Sequence, residues 1–155
     1  MDLACSKSIE MKTVVIAAFV SLMLSSCSSK QPEIYTTSTT AINGYDPIAY
    51  FMDNKPVKGS DEYSFKWKDA NWLFSSKAHM DMFAHDPEKY APQYGGYCAY
   101  GCSKAKKATT DPNAWTIVDG KLYLNNSLQV KEKWLKEQKE RIELADKNWP
   151  EIKDK

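Results

Sequence analysis

The chain lacks most of what would announce a function. Its 155 residues carry 21 Lys and Arg against 20 Asp and Glu, a net charge of +1. Without a basic excess there is no electrostatic case for nucleic-acid binding. No repeat and no collagen-like composition is present. There is no Ser/His/Asp arrangement, no phosphate-cradling glycine loop and no HExxH pattern. Acid–base catalysis would have to rest on His79 or on an unmatched carboxylate, so the leading expectation is a non-enzymatic role, with a reactive Cys98 as the route to an enzymatic one. A membrane-spanning segment is missing too: the apolar run Val14 to Leu24 is shorter than the about 20 residues that cross a bilayer core.

What is there begins with that short run. Met11 to Cys27 has one Lys at its start, then the apolar stretch, then small residues before a cysteine, the order of a secretory signal peptide. The ending Leu24-Ser25-Ser26-Cys27 resembles the lipobox of bacterial lipoproteins. The resemblance implies cleavage after Ser26, acylation of Cys27 with palmitate or a similar chain, and attachment to a membrane on its extracytoplasmic side. Residues Met1 to Glu10 fit poorly ahead of a leader, so Met11 is the expected start and Cys5 falls outside the mature protein. Ser28 resembles the outer-membrane sorting preference of lipoproteins in two-membrane cells, which implies an outer-membrane anchor facing the periplasm, with the exterior as the other possibility. The 129 residues after residue 26 suffice for one domain with a modest core.

The stretch 27–40 is Ser/Thr-rich and reads as the acylated Cys27 and a flexible tether. A single domain is expected over 41–150, with 151–155 as a tail. Gly44-Tyr45-Asp46-Pro47 is turn chemistry. Tyr63, Phe65 and Trp67, then Trp72 and Phe74, alternate with polar residues about a turn at 68–71, which predicts a β-hairpin with one aromatic face. Ser75 or Ser76 is suited to cap a helix that runs to about His85. Asp86-Pro87 suits a fresh helical turn with Asp86 as cap. Asp119-Gly120 between alternating apolar residues predicts a second hairpin. Asn126 or Ser127 then caps a long amphipathic helix with Leu128, Leu135, Ile142, Ala145 and Trp149 as its apolar stripe, ended by Pro150. The fold class is therefore α+β: a small single domain of two β-hairpins packed with a short helix and a long C-terminal amphipathic helix.

Four blocks together resemble the YHS domain: Gly44 to Phe51 (GYDPIAYF), Trp72 to Ser76 (WLFSS), Asp86 to Tyr90 (DPEKY) and Gly95 to Ala99 (GGYCA). The resemblance covers about Ala41 to Trp149 and is greatest to the longer secreted bacterial YHS proteins. Short YHS modules are similar in turn to the TRASH metal-binding modules, whose three cysteine ligands would fall here on Ala49, Ser75 and His79. Alanine cannot bind a metal and serine is a poor partner for thiophilic ions. This chain therefore departs from the thiolate site that the resemblance implies.

Some candidates remain. His79 stands at the third ligand position and four residues before Phe83, on the same helix face. His85 lies about 240° around that helix and cannot share a site with it. Cys98 and Cys102, spaced C-x3-C, form a disulfide, remain two buried thiols, or hold a metal. Joined by His79 they would make a three-ligand Zn or Cu site. A disulfide requires non-helical backbone at this spacing, which the nearby glycines could permit. Met80 and Met82 offer thioethers to Cu(I), though residues two apart on a helix diverge. Tyr94, Gly95, Gly96, Tyr97 and Tyr100 cluster into an aromatic glycine loop suited either to a small-ligand pocket or to tight packing on the hairpin. Three readings follow: metal or small-ligand binding at the membrane surface, a protein-interaction or structural module of the envelope, and a redox-active thiol protein.

Overall fold

The computed structural model describes residues 31–155. The leader over 1–26 and the acylation site Cys27 lie outside the described residues. Strands β1 (Thr36–Thr37), β2 (Thr40–Ala41), β3 (Ser60–Trp67) and β4 (Ala70–Phe74) make a four-stranded sheet in the order β1-β2-β4-β3. Strands β5 (Asp111–Val118) and β6 (Lys121–Asn125) form a separate two-stranded sheet. Around them lie α1 (Pro47–Met52), α2 (Lys77–His85), α3 (Pro87–Tyr90), α4 (Ala99–Cys102), α5 (Leu128–Lys136) and α6 (Gln138–Ile152). The expected α+β class holds, with more helices than the sequence pattern discloses.

Both hairpins close on two successive positive-φ residues, Lys68 and Asp69 in the first and Asp119 and Gly120 in the second. That is the turn geometry whose twist matches paired strands. In the first hairpin Phe65 pairs with Trp72 and Trp67 with Ala70. Its aromatic face meets α2 at one side chain: the ring of Phe83, fully buried, lies 5.0 Å from Trp72, 5.2 Å from Phe74, 5.9 Å from Trp67 and 6.3 Å from Phe65. Ser76 caps α2 by accepting from the His79 amide, and Asp86 caps α3 ahead of Pro87.

A second cluster gathers Tyr94, Tyr97, Cys102, Tyr123, Trp134, Ala145 and Ile152. Here the expected long helix departs from the pattern. Ser127 does cap it, but the helix breaks at Glu137 into α5 and α6. The expected stripe holds in α6, where Ala145 is buried and Ile142 and Trp149 pack on the second cluster. It fails in α5, whose inward face runs through Val130 and Trp134: Leu128 and Leu135 are exposed at 52% and 43%, while Trp134 is fully buried. Nor does Pro150 end α6. The helix runs on to Ile152, whose side chain is buried in the second cluster. Apolar burial there offsets the amide hydrogen bond that proline lacks. Residues 151–152 are thus part of the fold rather than of a tail.

The described part of the expected tether, 31–40, is also not free. Ile34 is buried in the main core at 2% exposure. The Tyr35 amide donates to the Gly95 carbonyl at 2.8 Å, and Thr36 and Thr37 pair with Ala41 and Thr40. Its Ser/Thr composition conceals one apolar anchor and a two-residue strand. The folded unit therefore begins about ten residues before the boundary expected at 41.

Candidate functional site

The most elaborate polar site is built on Asp46, which is completely buried. Its Oδ1 caps α1 by accepting from the amides of Ile48 (2.9 Å) and Ala49 (3.3 Å). Its Oδ2 accepts from the Ser75 amide (2.9 Å), the Ser75 hydroxyl (2.7 Å) and His79 Nδ1 (2.6 Å). Ala49, Ser75 and His79, the three positions to which ligands map by resemblance, thus surround one carboxylate. A buried charge is tolerated when its lone pairs are filled in this way.

The bonding fixes the chemistry of the imidazole. The carboxylate can only accept, so Nδ1 carries a proton and points inward. Ser75 sits on this same inner edge, with its Oγ 3.3 Å from Nδ1. A nucleophile activated by His79 would have to stand at Nε2, so these three residues do not form a catalytic triad. Nε2 has no hydrogen-bond partner among the described residues, and the His79 side chain keeps 15% of its surface exposed.

Cys98 and Cys102 are both free thiols and both buried. The disulfide expected as one alternative is absent because the intervening backbone is a helical turn, with the Cys102 amide bonded to the Cys98 carbonyl at 2.9 Å. That turn holds side chains too far apart for a bridge. Cys98 Sγ caps α4 by accepting from the Gly101 amide at 3.4 Å, and its thiol faces Asn125 Oδ1 at 3.7 Å. Burial pushes both thiols up, Cys102 to about 12, with neighbouring Cys98 adding to the effect on Cys102. They are protonated at neutral pH and are poor nucleophiles and poor ligands.

The expected metal set of His79, Cys98 and Cys102 is not brought together. Among the described residues no three His, Cys, Asp or Glu side chains are placed to hold an ion. His79 is committed to Asp46, whereas Cys102 belongs to the second cluster and Cys98 Sγ sits between the Gly101 amide and Asn125 of β6. Met80 and Met82 pack against the main core.

The glycine loop is mainly a packing device. Tyr94, Gly95 and Gly96 adopt successive left-handed conformations at φ 56°, 60° and 84°. A Cβ on Gly95 would lie 1.9 Å from the Glu33 carbonyl oxygen, so only glycine lets the N-terminal segment cross here. Tyr94 donates to Asp146 Oδ1 at 2.8 Å, and Tyr97 donates to the Pro32 carbonyl at 2.9 Å. The five loop residues do not line one pocket. Tyr94 and Gly95 border a half-open cleft of about 230 Å³ with Trp67, Lys68 and Trp149, and Tyr97 lines a different depression with Tyr35 and Lys107. Gly96 is covered by the Ile42 side chain. The first cleft is bridged by Lys68, which pairs with Glu33 at 3.0 Å and Glu88 at 3.2 Å.

Sequence reasoning missed Asp46, treating its tetrapeptide as a turn. The signal is present: Asp46-Pro47 has the same cap-then-proline form as Asp86-Pro87, and both open a helix. No family model, curated protein or solved structure matches this chain. No helix among the described residues is long and apolar enough to cross a membrane.

Proposed function

We propose that this chain is an envelope lipoprotein whose YHS-like domain serves as a protein-interaction or structural module, not through a bound metal. The observation that carries this reading is the Asp46 centre. At the place where similar modules would gather sulfur ligands, a buried carboxylate takes five internal hydrogen-bond donors. A carboxylate satisfied in this way does for α1 and α2 what a structural ion does elsewhere: it ties two helix starts and a strand end to one charge. The buried, proton-holding thiols speak against a redox role. Attachment through acylated Cys27, on the periplasmic or exterior face of the outer membrane, rests on the lipobox-like ending of the leader.

Two measurements test it. Titration of the purified protein with Zn and with Cu(I) should give no stoichiometric uptake. One equivalent bound by the native chain and lost in His79→Ala would overturn the reading. Crosslinking in intact cells, followed by recovery from membranes, should then retain a discrete envelope protein. Recovery of the chain alone under conditions that capture known envelope complexes counts against an interaction role.

A further inference from the structure

The point at which the chain leaves the domain toward Cys27 is held rigidly. The Gln31 amide donates to the Lys155 carbonyl at 3.1 Å. Lys107 Nζ donates to the carbonyls of Gln31 (3.0 Å), Pro32 (3.1 Å) and Lys153 (2.7 Å). With Tyr97 on Pro32 and Ile34 in the core, residue 31 has a fixed place on the surface. A depression of about 300 Å³ lined by Gln31, Ala105, Lys107, Ile152 and Lys155 puts the loop after α4 and the end of α6 beside that exit.

Charge is concentrated on the same spot. Segments 103–107 and 151–155 hold five lysines, at 104, 106, 107, 153 and 155, against the carboxylates Glu151 and Asp154. The whole chain has a net charge of only +1, so the remainder is net acidic. Lys104, Lys106 and Lys155 are exposed.

Length turns this placement into an orientation. From Cys27 to Gln31 the chain advances four residues, roughly 14 Å at full extension. A domain of this size is about 35 Å across. An acyl chain on Cys27 therefore holds the lysine cluster within about one or two screening lengths of the headgroups, near enough for their field to act.

We infer that the surface formed by Lys104, Lys106, Lys153 and Lys155, around the exit that Lys107 holds in place, docks on anionic phospholipid headgroups, setting a fixed orientation of the domain on its membrane. This rests on the lipoprotein reading above. The test uses the full acylated chain in detergent, in phosphatidylcholine nanodiscs, and in discs containing about one third phosphatidylglycerol. Acetylation rates of single lysines are followed by mass spectrometry, with Lys55 and Lys77 as references. On the anionic discs Lys104, Lys106 and Lys155 should react about threefold or more slowly, and added salt should restore their rates. The Lys104→Glu, Lys106→Glu double variant should lose the protection of Lys155. Even labelling of the acylated chain in all three settings overturns the docking surface alone. Equal protection on neutral and anionic discs overturns headgroup recognition. A mature chain without an acyl group on Cys27 overturns the lipoprotein reading, and the docking with it.

Discussion

At the scale of single residues, Asp46 and His79 are unequal partners. Asp46 is fully buried and serves five donors, whereas His79 is partly exposed and leaves one ring nitrogen outside the network. Replacing Asp46 by Ala removes a helix cap and strands several buried donors, with an expected loss of about 3–5 kcal/mol. His79→Ala should cost about 1–2 kcal/mol, since water can satisfy part of what it leaves. Urea unfolding of the two variants measures the order, and a larger loss for His79→Ala would contradict the view of Asp46 as the centre. Ser75 and Asp46 are 29 residues apart, and nothing in local spacing pairs them. The glycine at 95 is equally strict. Gly95→Ala forces a Cβ into the Glu33 carbonyl at an already left-handed φ, so a loss of at least about 2 kcal/mol is expected. Amide exchange at Tyr35 should quicken with it, and unchanged protection there would show that the crossing tolerates a side chain.

At the scale of elements, the parts legible in the sequence are those specified within a few residues. Asp119-Gly120 marks its hairpin because both positions accept positive φ. Ser76, Asp86 and Ser127 mark helix starts because a side-chain oxygen reaches an amide three residues on. The C-terminal stripe is legible at Ile142, Ala145 and Trp149, which pack on the second cluster. It is not legible at Leu128 and Leu135, because the break at Glu137 lets α5 and α6 each choose its own inward face, and that of α5 runs through Val130 and Trp134. Trp134, not Leu135, became the core residue. Trp134→Ala should therefore destabilise by about 3–5 kcal/mol and Leu135→Ala by less than about 0.5 kcal/mol, as judged by thermal and urea unfolding. Comparable losses would place Leu135 in the core as well. The cysteine pair was legible only as a set of alternatives, because the choice turned on whether the backbone at 98–102 is helical, and three nearby glycines argued otherwise.

At the scale of the whole molecule, buried acids that hold their protons set the alkaline limit. Cys102 is raised from 9.0 to about 12, chiefly by burial, and Tyr123 is likewise raised to about 12. Such groups bind protons more tightly folded than unfolded. For Cys102 the stabilisation is complete below about pH 9 and falls as pH rises toward 12, by up to about 1.4 kcal/mol per pH unit for one group. Unfolding curves across that window should slope downward, and Cys102→Ala should flatten the slope. An unchanged slope would mean that the thiol ionises without opening the core. The meeting of residue 31 with residue 155 has another use. Since these positions lie side by side and the tip of the β5–β6 hairpin at Gly120 has open space around it, the connectivity is free to be rerouted. A short linker joining 155 to 31, with new termini cut between Asp119 and Gly120, should fold with an unaltered near-ultraviolet spectrum, because the order in which the elements are strung together is separable here from the arrangement in which they pack.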